Sequence, residues 1–209
     1  MSALIQAGFT REFPEYLDPA DKAHAVIEKA IRYAADAHHG AFRKGNHLPY
    51  IVHPMECMML TAQMTDDEDV IAAAALHDVV EDTPKTLVDL EQEFGSRIAG
   101  LVAMESEDKR EGMNKEDTWK IRKQENLKRE ESASTEAKMI MLADKVSNMR
   151  ATYRDYLVSG PSIWEKFNMK DVGEQEWYYR SVAEVLSELS EHDLYREYVS
   201  ILNTVFSGN

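Results

Sequence analysis

The sequence predicts an all-α protein, and three observations lead to that prediction. Apolar residues recur at the three- and four-residue spacing of amphipathic helices through most of the 209 residues. Helix-capping residues such as Asp18-Pro19 and Gly95 stand at the ends of these periodic segments. No alternating strand pattern, internal repeat or linker occurs in the sequence. We therefore expect one helical domain over residues 1–209, with its core over about 20–205 and an N-terminal extension over 1–18.

The first half of the chain predicts a series of short helices. The first begins at Asp18-Pro19 and carries apolar residues up to His38, and a loop follows over residues 40–49. We expect the later helices to run from Pro54 to Gln63, from Asp66-Asp67 onward, from Thr83-Pro84 to Gly95, and from Ser96 onward.

The second half is less uniform. Residues 105–131 are almost all polar, with Trp119, Ile121 and Leu127 as sparse anchors, which predicts a mobile loop leading into a solvated helix. The run Met139–Ala143 predicts a buried helix from Thr135 to about Tyr156. Residues 175–206 predict one or two helices joined near His192-Asp193.

Composition excludes several classes of function. A net charge of −14 argues against electrostatic binding to nucleic acid or anionic lipid, although a small phosphorylated ligand is compatible with a locally positive site. No apolar run reaches the ~20 residues that a membrane span needs, and the N-terminus does not resemble a signal peptide. The single cysteine, Cys57, suits a reducing compartment. We expect a cytoplasmic protein, with homo-oligomers possible.

The segment over residues 75–83 carries the strongest chemical signal. His77-Asp78 is followed one turn later by Glu81-Asp82, so on a helix the two pairs stack at i,i+4 spacing. The apolar run over residues 70–75 predicts burial, and unpaired buried carboxylates are costly. The segment therefore predicts a metal site beside an acid/base pair.

Two further segments supply candidate ligands. His53 lies at a loop-to-helix junction, and Asp144 follows an apolar run with Asn148 one turn beyond it. Two imidazoles and two carboxylates form a mixed donor set that suits Mn²⁺, Fe²⁺ or Mg²⁺ better than a closed structural zinc site.

The order of these motifs resembles a known family. His53, then His77-Asp78, then Asp144 follows the pattern of the HD-domain metal-dependent phosphohydrolases. More narrowly, the strings at 43–45, 50–54, 77–83 and 142–150 resemble the hydrolase domain of the RelA/SpoT alarmone enzymes. They span about residues 32–155 and resemble a stand-alone small alarmone hydrolase.

The resemblance implies an all-α HD-domain bundle, Mn²⁺ as cofactor, and removal of the 3′-pyrophosphate of guanosine tetra- or pentaphosphate, (p)ppGpp. His53, His77, Asp78 and Asp144 would hold the metal, Glu81 would orient or deprotonate the attacking water, and Asp82 would assist proton transfer. The residues that would contact the nucleotide are Arg43, Lys44 and Asn148, with Lys109, Arg122, Lys123 and Tyr178 as further candidates.

Two alternatives stay open. An HD phosphohydrolase could act on another nucleotide such as NADPH, and a non-catalytic sensor could bind the alarmone without cleaving it. Glu81 and Asp82 favour the alarmone hydrolase over both. The sequence departs from the family at Ala41, where Gln is common, and at Ala151, where Thr is common, and the second change bears on how the base is held.

Overall fold

The regular elements of the protein are helices. A computed structural model describes residues 24–43, 47–105, 110 and 112–207. For Lys115 it describes the backbone only. Its α-helices are α1 (Ala25–Ala37), α2 (Val52–Thr61), α3 (Glu68–Leu76), α4 (Val79–Asp82), α5 (Leu87–Phe94), α6 (Ser96–Glu105), α7 (Lys115–Glu131), α8 (Thr135–Ser159), α9 (Val172–Val185) and α10 (Asp193–Phe206). Within the described residues the only extended pairing is one bridge between Phe42 and Pro49, which confirms the all-α prediction. The predicted extension over 1–18 and the first helix's start at Asp18 lie outside them.

Helix α3 forms the centre of the N-terminal half. Its residues Val70–Leu76 are all buried, as expected for a helix that is apolar on every side. It packs against α1, α2 and α6, and its small alanines allow these neighbours to come close. The end of α3 is thereby held inside the protein, and His77 follows it directly.

Helix α8 links two hydrophobic clusters. Met141 and Leu142 pack in a cluster with residues of α9 and α10. Ala137 and Ile140 belong to the other cluster, with α1, α3 and α6. Helix α2 packs against both α3 and α8, so two helices that carry candidate ligands meet the helix that His77 directly follows.

Helix α5 begins three residues later than the sequence predicts. The Thr83 hydroxyl donates to the Val79 carbonyl at 2.6 Å, which makes Thr83 part of the end of α4. The start of α5 is instead a capping box, in which Thr86 accepts from the Asp89 backbone and Asp89 accepts from the Thr86 backbone. Gly95 ends α5 as predicted, with a φ of +85° that favours glycine.

Helix α7 is solvated on one face only, and Ile121, one of its three predicted anchors, is exposed. Its residues Trp119, Asn126, Leu127 and Glu130 are buried. The Trp119 ring lies edge-on to the Tyr178 ring of α9 with centroids 5.8 Å apart, so aromatic packing holds one face of α7 against the body of the protein. The predicted mobile loop falls largely on residues 106–109 and 111, outside those described.

The C-terminal region contains two helices, where the sequence predicts one or two. A short 3₁₀ segment, Ser187–Leu189, separates α9 from α10, and α10 begins at Asp193. Tyr198 of α10 is fully buried, and its hydroxyl donates to the Tyr179 carbonyl at 2.9 Å. Among the described residues, no helix is both long and apolar enough to cross a membrane.

Candidate metal centre and cleft

Four predicted ligands converge at the meeting point of α2, α3 and α8. Nε2 of His53 lies 3.1 Å from Oδ1 of Asp144 and 3.5 Å from Oδ2 of Asp78. Nε2 of His77 lies 3.2 Å from Oδ2 of Asp78 and 3.7 Å from Oδ1 of Asp144. Ligand atoms on one metal ion stand about 3 Å apart when metal–ligand bonds are about 2.0–2.2 Å. Two imidazoles and two carboxylates thus already stand close to the spacing that a cation requires.

The His77-Asp78 pair lies at a break between helices, not on the continuous helix that the sequence predicts. Helix α3 ends at Leu76 and α4 begins at Val79. Adjacent residues on a regular helix do not face each other. The break brings the tips of the two adjacent side chains within 3.2 Å and directs both of them toward Asp144.

The ring of His77 is oriented for metal binding. Its Nδ1 lies 2.8 Å from the Ala74 carbonyl oxygen, which can only accept, so Nδ1 carries a proton. Its Nε2 is buried and makes no well-aligned hydrogen bond among the described groups, although carboxylate oxygens of Asp78 and Asp144 lie 3.2 and 3.7 Å away. A buried nitrogen of this kind is costly unless a proton or a cation is bound to it.

The electrostatics of the cluster also fit a cation. Burial raises the pKa of Asp144, but the Lys145 ammonium and the imidazole of His53 hold it well below its ordinary value. Burial lowers the pKa of His77, but Asp78 raises it well above its ordinary value. A proton is thus held on His77 by the same negative charge that would bind a divalent ion. The donor set therefore fits a divalent metal ion.

The sulfur atom of Cys57 lies beside this donor set, and the sequence reasoning missed this contact. The donor atoms of His53, Cys57, His77 and Asp144 all lie within 4.8 Å of one another. Cys57 stands one turn after His53 on α2, and its Sγ is 3.9 Å from Nε2 of that histidine. Burial raises the pKa of the thiol above its ordinary value, so Cys57 is a neutral neighbour of the cluster in this structure.

Tyr50 connects the metal cluster to the acid/base pair, and the sequence reasoning also missed it. Its hydroxyl lies 2.7 Å from Oδ2 of Asp78 and 2.8 Å from Oδ2 of Asp82. One hydroxyl proton is therefore shared between two carboxylates. The only local signal was the position of Tyr50 three residues before His53, which does not reveal a contact with residues 28 and 32 positions away.

A polar cleft of about 280 Å³ opens onto the cluster, and an outer part of about 600 Å³ adjoins it. Of the predicted site residues, the inner cleft is lined by Arg43, His53, His77, Asp78, Glu81, Asp82, Lys123, Asp144, Asn148 and Tyr178. Arg122 lines only the outer part of the cleft. The structure therefore brings the predicted residues to one cleft, apart from Lys44 and Lys109, which lie outside the described residues.

Two of the predicted nucleotide contacts are tied to the metal cluster. Nη2 of Arg43 donates to Oδ1 of Asn148 at 3.0 Å, and Nδ2 of Asn148 donates to Oδ1 of Asp144 at 2.6 Å. The guanidinium carbon of Arg43 lies 5.7 Å from the centre of the Tyr50 ring. A loop residue and a helix residue 105 positions apart thus share one wall of the cleft.

The cleft also contains buried charges that the sequence reasoning did not select. Nζ of Lys145 lies 2.6 Å from Oδ2 of Asp144, so a cation is paired with that carboxylate. Glu105 also lines the cleft, and burial raises its pKa to about 8 in spite of Lys145. Trp119 and Phe167 add aromatic rings to the lining of the cleft. Trp119 lies on α7 and Phe167 lies in the segment after α8, two regions where the sequence carries no motif.

The fold and this cluster define an HD-domain protein. A family model of the HD domain matches residues 30–167, and the chain belongs to that family. Within it, the chain belongs with the guanosine-3′,5′-bis(diphosphate) 3′-pyrophosphohydrolases. It is 34% identical over 143 residues to the Drosophila melanogaster enzyme of that name, MESH1. The matched region covers 67% of this chain and 74% of MESH1.

Bacterial relatives and solved structures agree with this assignment. The bifunctional (p)ppGpp synthase/hydrolase SpoT of Escherichia coli K12 is 39% identical over 136 residues, which are 59% of this chain. The chain spans about a fifth of the length of the bacterial relatives it matches, since 18% of SpoT is covered. A structure of a metazoan SpoT orthologue that hydrolyses ppGpp superposes with a TM-score of 0.68 at 29% identity, covering 86% of this chain and 95% of that one. The protein lmo0812 of Listeria monocytogenes EGD-e matches with a TM-score of 0.64 at 26% identity, covering 76% of this chain and 96% of that one.

Proposed function

We propose that this protein is a Mn²⁺-dependent hydrolase that removes the 3′-pyrophosphate of (p)ppGpp to give GDP or GTP and pyrophosphate. The observation that carries the proposal is the donor set of His53, His77, Asp78 and Asp144 with Glu81 and Asp82 in the same cleft. The names and activities of MESH1 and SpoT support this choice of substrate. We further propose that residues 20–205 form one catalytic domain that acts in the cytoplasm.

His53, His77, Asp78 and Asp144 would hold the metal. Two imidazole nitrogens and carboxylate oxygens with room for further oxygen ligands favour Mn²⁺ over a closed structural zinc site. When bound, the ion supplies Lewis-acid polarisation of a phosphoryl oxygen and neutralises developing charge. The Lys145 ammonium, paired with Asp144, keeps that carboxylate ionised, which keeps it available as a ligand.

Glu81 and Asp82 supply the acid/base chemistry in this proposal. Both line the cleft next to the ligand cluster, where a water molecule can approach a bound phosphate. Glu81 accepts the proton of the attacking water. The hydroxyl of Tyr50 bridges Asp82 and Asp78. Asp82 would assist proton transfer to the ribose 3′ oxygen as the bond between that oxygen and the attacked phosphorus breaks.

The remaining predicted residues recognise the nucleotide. Arg43 and Asn148 form the wall on which the purine would lie, and their mutual hydrogen bond sets the orientation of both side chains. Lys123 lines the cleft with its Nζ 4.9 Å from the centre of the Tyr178 ring, and it would contact a phosphate group. Arg122 would contribute at the outer part. Lys44 and Lys109, which lie outside the described residues, would add positive charge.

The experiment is a substrate comparison on metal-free full-length protein. ppGpp, GTP and NADPH are each incubated with and without Mn²⁺, and products are separated by chromatography. We expect pyrophosphate and GDP from ppGpp alone, and only with Mn²⁺. Asp144→Asn should abolish turnover, whereas Asp193→Asn, whose carboxylate is 97% exposed at the start of α10, should leave turnover unchanged.

Other outcomes select the alternatives. Phosphate released from NADPH alone would identify an HD phosphohydrolase of another nucleotide. Tight binding of ppGpp without products would identify a sensor. Either result would contradict the proposed reaction.

A further inference from the structure

Ser147 forms a hydrogen-bonded link behind one of the proposed metal ligands. Its Oγ lies 2.9 Å from Nδ1 of His53, on the side of the ring away from the cluster. The same hydroxyl donates to Oε2 of Glu56 at 2.7 Å. Ser147 is 2% exposed, so bulk water does not replace these contacts. The link joins α8 to two residues of α2.

The direction of the hydrogen bonds follows from the donors that are present. A hydroxyl has one proton, and the Glu56 carboxylate can only accept it. Ser147 Oγ must then accept from His53, which puts a proton on Nδ1 and directs the lone pair of Nε2 toward Asp144. Cys57 Sγ lies 3.6 Å from the same Nδ1, but sulfur is the weaker acceptor.

Glu56 is in turn held by a buttress that reaches the C-terminal helix. Nη1 of Arg150 lies 3.2 Å from Oε1 of Glu56. Its Nε and Nη2 donate to the two carboxylate oxygens of Glu197, at 2.6 and 2.8 Å. The guanidinium therefore lies between carboxylates of α2 and α10, and the bidentate pair with Glu197 fixes its plane.

We propose that Ser147 and Glu56 are positioning residues that hold His53 with its proton on Nδ1 and thereby set the affinity of the site for a divalent ion. The inference rests on the role given to His53 in the proposed function. A ligand histidine must offer an unprotonated nitrogen, and the group that binds its other nitrogen decides which one is free. Neither Ser147 nor Glu56 touches the substrate cleft as described.

Glu56→Gln separates this proposal from simple packing, because the shape of the side chain is kept. The amide oxygen of the glutamine would face Arg150, which only donates, and its NH₂ group would face Ser147. Ser147 would then accept from the glutamine and donate its own proton to Nδ1 of His53. The proton of the imidazole would move to Nε2, where it blocks metal binding.

The primary test measures Mn²⁺ affinity by competition with a chelating dye. Ser147→Ala and Glu56→Gln should each weaken Mn²⁺ binding by about 10- to 100-fold. Ser147→Thr keeps the hydroxyl and should restore most of the affinity. The matched control is Thr61→Val, which removes a fully buried hydroxyl from the same helix as His53 and should leave Mn²⁺ affinity unchanged.

A second readout follows the imidazole itself. Long-range ¹H–¹⁵N NMR correlations of the metal-free protein, recorded at increasing pH until the His53 ring is neutral, should show His53 protonated at Nδ1. The signal is assigned by its loss in His53→Gln. Glu56→Gln should shift the proton to Nε2.

Three results would overturn the proposal: unchanged Mn²⁺ affinity in Ser147→Ala and Glu56→Gln, an equal loss in Thr61→Val, or Nε2 protonation of His53 in the wild type. None of these readouts depends on turnover. A wild-type protein that binds Mn²⁺ but leaves ppGpp intact would overturn the proposed function and leave the role of Ser147 standing.

Discussion

Removing the hydroxyl of Tyr50 tests whether the link between the metal cluster and the acid/base pair matters for the reaction. Its oxygen lies 2.7 and 2.8 Å from carboxylate oxygens of Asp78 and Asp82. Burial, then the charge of Asp78, raises the pKa of the phenol far above its ordinary value, so the hydroxyl stays protonated across the working pH range. Tyr50→Phe leaves two carboxylates facing each other without the proton they share.

The size of the effect can be worked from these contacts. A hydrogen bond to a charged group contributes about 1.5–3 kcal/mol. Since about 1.4 kcal/mol corresponds to a factor of ten in rate, kcat for ppGpp should fall about 10- to 150-fold. The phenyl ring preserves the contact with Arg43, so KM should change little.

The assay is steady-state release of pyrophosphate from ppGpp at saturating Mn²⁺. Tyr33→Phe is the matched control, because Tyr33 packs against Phe94 away from the cleft as described. A kcat for Tyr50→Phe within about twofold of wild type, which is under about 0.4 kcal/mol, would refute the reasoning. A rise in KM with unchanged kcat would refute it as well, because it would place Tyr50 in substrate binding.

Three further predictions concern the base, the metal and pH. Glu81→Gln should keep Mn²⁺ affinity and lower kcat by about 10²- to 10⁴-fold; unchanged turnover would remove Glu81 from the mechanism. Dialysis against a chelator should abolish hydrolysis and lower the melting temperature, because the negative charge of the cluster is then uncompensated. Adding Mn²⁺ should restore both activity and melting temperature. Turnover that survives dialysis would contradict a metal requirement. Hydrogen bonds from Arg97 lower the pKa of Asp67 to about 2, so the stability contributed by this pair is present above about pH 4 and is lost as pH falls through about 2. Urea unfolding should therefore show Arg97→Gln less stable than wild type at pH 7, by up to about 1 kcal/mol, and the difference should shrink toward pH 2; a constant difference would contradict this assignment.

The local part of the site was predictable from the sequence because it depends on residue type and short spacing. The sequence marks six candidate metal-binding or acid/base residues, and all of them line the cleft: His53, His77, Asp78, Glu81, Asp82 and Asp144. The helices were predictable for the same reason, since apolar periodicity and capping residues are local signals. The start of α5 was wrong because two threonines, Thr83 and Thr86, offered similar caps.

Helix α7 shows where local signals end. Its polar sequence indicated a solvated helix anchored by Trp119, Ile121 and Leu127. Ile121 is instead exposed, and the polar residues Asn126 and Glu130 are buried. The partner that buries Trp119 is Tyr178, which lies on a different helix far along the chain. Sparse apolar residues on a polar helix do not reveal such a partner.

The sequence by itself determined the fold class and the identity of the proposed metal ligands, because helical periodicity and ligand chemistry depend on residue type and on short spacing along the chain. Tertiary structure alone decided that the helix breaks at His77-Asp78, that Tyr50 joins Asp78 to Asp82, and that Ser147 stands behind His53. These contacts join residues 28 to 94 positions apart. They depend on how α2, α3 and α8 pack against one another, and that packing follows from the burial of the whole apolar core, which no local pattern encodes.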